Sequence, residues 1–327
     1  MPTSIRSCAR FGLFGIALAF SQAIAAQDNP YRTVDNHFQM PAGRVVGSTA
    51  GITVDRDGSS VWAFERCGGN NCIGSTVAPV LKFDASGKLA ASFGANLFVR
   101  PHGIHVDRDG NVWVTDQEGH QVVKMTPDGR VLMTLGKKGV AGDGLDVFNA
   151  PSAVFVAPDG SIFIGDGHGG MTNARMLKFT RDGKFVKTWG KRGTVAGDFE
   201  TPHGIAMDSQ GRLFVADRGN NRVQIFDQNG TFIAEWKQFG RPSGIFIRND
   251  MLYIADHQSD EKTNPGFTKG IRIGSVKDGK VTAFIPDAPT GTQEGVAVDA
   301  QGNVYGSLTG GPTGAVGGAA LKKYVRR

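Results

Sequence analysis

Apolar residues in this chain come in short runs separated by turns rich in Asp and Gly, and the arrangement recurs from Gly51 to the end. The first half of the unit reads GITVDRDGSSVWAFER from Gly51, PHGIHVDRDGNVWVTD from Pro101 and PSAVFVAPDGSIFIGD from Pro151. It continues as PHGIAMDSQGRLFVAD from Pro202, PSGIFIRNDMLYIAD from Pro242 and QEGVAVDAQGNVYGSL from Gln293. Each copy places two runs rich in β-branched and aromatic residues around a tight turn, which predicts a β-hairpin. The second halves, such as VVKMTPDGRVLMTLG and VQIFDQNGTFIAEW, predict another strand, turn and strand. Four antiparallel strands recurring at about 40 to 52 residues are the pattern of a propeller blade.

Six copies therefore predict an all-β, six-bladed β-propeller. The last copy runs out at LKKYVRR with no strand to follow. A segment between Tyr31 and Val46 is expected to pair there and close the ring, which removes open sheet edges. Glycine supports the reading: 47 of 327 residues is about twice the usual share of roughly 7%, and the glycines are scattered as turns require. The glycine-rich tract 310–319 is read as a surface loop.

The beginning of the chain has a different pattern. Arg6 and Arg10 precede the apolar run Phe11 to Phe20, and Ala23-Ile24-Ala25 offers a small-residue cleavage site. Residues 1–26 are read as a signal peptide and residues 27–327 as one propeller domain. The apolar run is shorter than the roughly 20 residues of a spanning helix, so a retained membrane span is not expected. Cys8 lies upstream of that run, which disfavours a lipid anchor. With Cys8 in the leader, Cys67 and Cys72 in RCGGNNC remain as a pair. In a periplasmic or secreted setting a disulfide is favoured over a thiolate metal site. The formal charge of +6 falls to +4 once Arg6 and Arg10 are set aside, and no basic stripe points to nucleic acid.

Strand alternation brings two sets of positions to one end of the central channel. Just before the first strand of each blade stand Ala50, His102, Ser152, His203, Ser243 and Glu294. His102, His203 and Glu294 occupy alternate blades, about 120° apart around the axis. Two imidazoles and a carboxylate suit zinc or another divalent first-row metal, although rim histidines from a duplicated Pro-His-Gly turn would give the same pattern. Just after the second strand stand Arg66, Gln117, Gly167, Arg218, His257 and Thr309. Arg66 and Arg218 could clamp a carboxylate; an ordinary ion pair with Glu65, Asp217 or another neighbour is the plainer reading. His168, one position further along the rim in DGHGG, could act as a base. The recurring Asp116, Asp166, Asp217 and Asp256 are read as turn stabilisers. His105 could point into the channel, and no chemistry is assigned to it, to His120 or to His37.

The words VDRDGNVWVTD, ADRGNNRVQIF and KFDASGKLAASFG resemble NHL repeats across nearly all of the chain after residue 26. Within that group, NLFVRPHGIHVDRDGNVWVTD with HQVVKM, and PHGIAM with VADRGNNRVQIF, are similar to the peptidyl-α-hydroxyglycine α-amidating lyase (peptidylamidoglycolate lyase) family. The resemblance implies zinc at His102 and His203, with Arg66 and Arg218 binding the substrate carboxylate or stabilising charge. It implies cleavage of a carbinolamide C–N bond in a small carboxylate-bearing or peptide substrate. Glu294 stands where the family has a third zinc histidine. Gly295 leaves the family's structural calcium without its aspartate. His168 replaces the family's catalytic tyrosine, a group of much higher reference pKa. The expectation is an exported, monomeric, metal-dependent lyase. A non-catalytic propeller binding a protein or cell-envelope ligand is one alternative. A lactonase-like metal hydrolase is another, which the paired histidines disfavour.

Overall fold

The computed structural model describes residues 28–287, 292–310 and 320–327. The leader lies outside the described residues, as does the glycine-rich tract beyond Gly310. The described strands form six four-stranded antiparallel sheets, each running in chain order from channel to rim except the last, whose outer strand comes from the N-terminal side as expected. The inner strands are Thr49–Val54, Pro101–Val106, Pro151–Val156, Pro202–Met207, Ile245–Arg248 and Thr292–Val298.

Blade six is built from both ends of the described chain. Thr292–Val298, Val304–Thr309 and Leu321–Arg326 are followed outward by Tyr31–Val34, with Tyr31 opposite Arg326 and Val34 opposite Lys323. The expected ring closure is thus made by four residues of the proposed segment.

The core lies between blades. Trp62 and Phe64 of blade one pack with Val112 and Val114 of blade two, and Phe163 and Met176 of blade three meet Leu213, Val215 and Phe226 of blade four. Burying each such large side chain contributes about 1.5–3 kcal/mol, so sheet stacking carries most of the stability. The Asp-Gly turns serve this packing: Asp55 and Asp107 accept the indole N–H of Trp62 and Trp113 at 2.7 and 2.9 Å. Those bonds satisfy polar atoms that burial would otherwise strand.

Candidate functional site

The two rim positions meet at one end of the channel because the same backbone tie recurs. The amides of Arg66, Gln117, Gly167 and Arg218 donate to the carbonyls of Ser48, Arg100, Ala150 and Thr201. Each fixes the start of the loop after the second strand against the residue two places ahead of a channel position. The carboxylates just before these amides hold the same corner. Asp217 accepts from the amides of Glu200 and Thr201, and Asp116 from those of Val99, Arg100 and Gly119. Asp166 accepts from the amide of Asn149, Asp256 from those of Arg241, Gln258 and Ser259, and Glu65 does the same work in blade one for Gly47 and Gly68.

A β-bulge aims the channel residues inward. In five inner strands the register slips at the channel position: between Thr49 and Gly51, Pro101 and Ile104, Pro151 and Ala153, Pro202 and Gly204, and Gln293 and Gly295. Such slips re-aim a side chain relative to the ladder. They throw Ala50, His102, Ser152, His203 and Glu294 toward the axis, and all five line the same cavity together with Ser243. The glycine that follows is a packing requirement. A Cβ on Gly103 would stand 2.6 Å from the Ser152 carbonyl, and one on Gly204 would stand 2.6 Å from that of Ser243. Blades can approach this closely only without a side chain there.

His102, His168, His203 and Glu294 converge so that one potential ligand atom from each lies within 4.8 Å of the others. Glu294 Oε1 is 2.9 Å from His203 Nε2, 3.4 Å from His102 Nε2 and 3.6 Å from Arg218 Nη1. His102 Nδ1 is 2.7 Å from the Ser152 carbonyl oxygen. That carbonyl can only accept, so the ring proton belongs on Nδ1 and Nε2 presents a lone pair to the centre. His102 Nε2 and both ring nitrogens of His203 are buried without a hydrogen-bond partner. Buried polar atoms are rarely left so. Nitrogen and carboxylate donors around one divalent ion at 2.0–2.1 Å sit about 3.3 Å apart, close to the spacing seen here. The donor set therefore fits a divalent metal.

Electrostatics agree. Burial pushes the pKa of His102 down, and that of His203 well down with Arg218 adding to the effect, so both imidazoles are neutral. Burial opposes ionisation of Glu294, but the His257, His102 and His203 imidazoles facing it outweigh this and hold its pKa well below the usual carboxylate range. Burial lowers the Arg218 guanidinium to about 10, which still leaves it charged near neutrality.

Arg218 Nη2 lies 3.4 Å from His168 Nε2, and the His168 ring stands 4.7 Å from that of His102, centroid to centroid. His168 is read from sequence as a rim base; the structure places it against the ligand cluster. Neither arginine pairs with Glu65 or Asp217, and Arg218 has Glu294 as its carboxylate neighbour instead. Glu65 pairs with Arg44 and Asp217 with Arg222, leaving Arg218 facing Glu294. Arg66 is buried, donating to the Pro101 carbonyl at 3.2 Å and to Asn70 Oδ1 at 2.7 Å. The adjacent Cys67 is disulfide-bonded to Cys72. His105 is not among the cavity-lining residues and packs its ring on Phe155 of the next blade, 4.7 Å between centroids.

His257 is the residue that sequence reasoning placed on the rim without a role. Its Nδ1 lies 2.6 Å from Ser243 Oγ and its Nε2 4.0 Å from Glu294 Oε2. The available signal was a polar residue at both rim positions of blade five.

These features define a six-bladed propeller with a buried His/Glu cluster at one end of its channel; the NHL repeat family model matches residues 98–125 and 199–226. The chain is 39% identical over 214 residues to peptidyl-glycine alpha-amidating monooxygenase B of Xenopus laevis, covering 61% of this chain and 24% of that protein. It is 38% identical over 166 residues to peptidyl-alpha-hydroxyglycine alpha-amidating lyase 1 of Drosophila melanogaster, covering 46% of this chain and 30% of that protein. The matched region thus spans less than a third of either relative. Among solved structures, a gluconolactonase from Xanthomonas campestris is similar with a TM-score of 0.62 at 17% identity, covering 94% of this chain and 93% of that one. This last likeness concerns the fold alone.

Proposed function

We propose that the protein is a metal-dependent lyase that cleaves the C–N bond of a carbinolamide bearing a carboxylate, as the names of its lyase relatives suggest. The observation that carries the reading is the set of buried imidazole nitrogens without partners, gathered around Glu294 and flanked by Arg218. His102, His203 and Glu294 would hold zinc or a similar divalent ion, and a bound ion supplies Lewis-acid polarisation of substrate oxygens.

The chain's own residues then have distinct tasks. Arg218 and Arg66 bind and orient the substrate carboxylate, whose charge compensates guanidinium groups that burial has desolvated. His168 Nε2 takes the proton of the carbinol hydroxyl. As that O–H electron pair forms the new carbonyl, the C–N bond breaks and its electrons leave with nitrogen, which recovers a proton as the primary amide departs. The other product is glyoxylate. Burial above all, with Arg218 adding to it, keeps the His168 imidazole neutral and therefore able to accept. The Cys67–Cys72 disulfide supports an exported protein, and among the described residues no helix is long and apolar enough to cross a membrane.

Glyoxylate release from an α-hydroxyglycine compound by zinc-loaded protein tests the activity. Release that disappears on chelation is expected. A folded chain that binds zinc yet yields none would contradict the lyase assignment.

A further inference from the structure

The Glu294 carboxylate presents two faces. Oε1 looks toward His102, His203 and Arg218, whereas Oε2 looks toward His257 in blade five. We infer that His257, held by Ser243, positions the Glu294 carboxylate so that Oε1 is the oxygen offered to the metal; this rests on the metal-site reading above.

The chemistry of the pair gives the direction. Ser243 Oγ and His257 Nδ1 are 2.6 Å apart, and both residues are buried. If the serine hydroxyl donates to Nδ1, the ring proton sits on Nε2, the atom facing Oε2. The opposite tautomer would turn a lone pair toward the lone pairs of an ionised carboxylate. The Nε2–Oε2 gap of 4.0 Å is too long for a direct hydrogen bond. It is short enough for a single oxygen bonded to both, or for a small rotation of the imidazole to close it.

His257 does not belong to the group of four whose ligand atoms converge. Its Nε2 faces Glu294 Oε2, the oxygen turned away from His102 and His203, so it acts through Glu294 rather than as a further ligand. A carboxylate needs this help more than an imidazole would. It can rotate, exchange its oxygens or bind through both, and outer partners of metal ligands suppress such freedom. Blade five is also suited to the task because its inner strand begins only at Ile245. Ser243 therefore sits ahead of the ladder, tied through its amide to the Ala255 carbonyl at 2.8 Å, two residues before His257.

Zinc affinity, measured by chelator competition on the full chain, tests this with a double-mutant cycle. His257→Phe should weaken zinc binding about tenfold or more, the range for outer partners of metal ligands. Ser243→Ala should weaken it in the same direction, and His257→Gln, which keeps an N–H donor, should recover part of the loss. In a Glu294→His background, where there is no second oxygen to hold, His257→Phe should change affinity by less than about twofold. Equal losses in both backgrounds would overturn the inference, as would no loss in the first. Wild-type protein that binds no zinc, or binds it as well after Glu294→Ala, would remove the metal site itself and the inference with it. If His257→Phe does not fold, as judged by its melting transition, His257→Gln and Ser243→Ala decide.

Discussion

His203 Nε2 stands 2.9 Å from Glu294 Oε1, although blade four supplies one residue and blade six the other. Neither ring nitrogen of His203 has a hydrogen-bond partner, so the contact is a convergence of potential ligand atoms rather than a made hydrogen bond. Bulges bring such remote residues to one point by lifting each out of its ladder at the same height of the channel.

Arg218 is the cation best placed for an anionic substrate, with Nη1 3.6 Å from Glu294 and Nη2 3.4 Å from His168. Losing a charge-assisted contact costs about 1.5–3 kcal/mol, so Arg218→Ala should lower kcat/KM by about 10- to 100-fold. Arg218→Lys should recover little, since an ammonium lacks the planar fork that grips a carboxylate. Steady-state kinetics on the α-hydroxyglycine compound would show it, and unchanged kcat/KM in Arg218→Ala would remove Arg218 from the site.

Asp217 is fully buried and receives the Glu200 and Thr201 amides together with Arg222 Nε at 2.9 Å. Asp217→Ala leaves the buried Glu200 and Thr201 amides without an acceptor and removes one of the two carboxylates of Arg222, Glu235 being the other at 2.8 Å, and should cost about 1.5–3 kcal/mol in urea unfolding. The exposed ion pair of Asp146 with Lys137 gives the contrast, where Asp146→Ala should leave the urea midpoint close to that of wild type. Comparable losses in the two variants would mean that the corner carboxylates are not structural.

Burial lowers the pKa of His105 to about 4, against an ordinary value of 6.5. A histidine held neutral in the folded state contributes stability that is present above pH 6.5 and is lost as pH falls toward 4. The contribution is at most about 3 kcal/mol. His105→Phe, which keeps the contact with Phe155, should flatten the fall in stability between pH 6.5 and 4 relative to wild type. Urea midpoints across that range provide the check, and parallel curves would contradict it.

The propeller was legible because each blade repeats a two-residue strand alternation and an Asp-Gly turn, features that act locally. The closing strand Tyr31–Val34 followed from counting, since an unpaired edge needs a partner. His102, His203 and Glu294 could be aligned because their motifs are in phase. The bulges could not be read, for they depend on how closely neighbouring blades pack, and only the glycine after Ala50, His102, His203 and Glu294 hints at them, Ala153 standing there in blade three. His168 could be placed on the same rim, but its contact with the His102 ring could not be read, because it depends on the loop that begins at Gly167, whose φ is 132°. His257 drew no assignment because its meaning depends on Ser243, fourteen positions earlier and brought beside it only when the blade is folded.

Zinc K-edge X-ray absorption of the protein loaded with one equivalent of metal bears most directly on the cluster. A first shell of nitrogen and oxygen near 2.0–2.1 Å is predicted, with imidazole scattering that weakens in His203→Ala. A spectrum that His203→Ala leaves unchanged, or a shell without imidazole, would contradict the account.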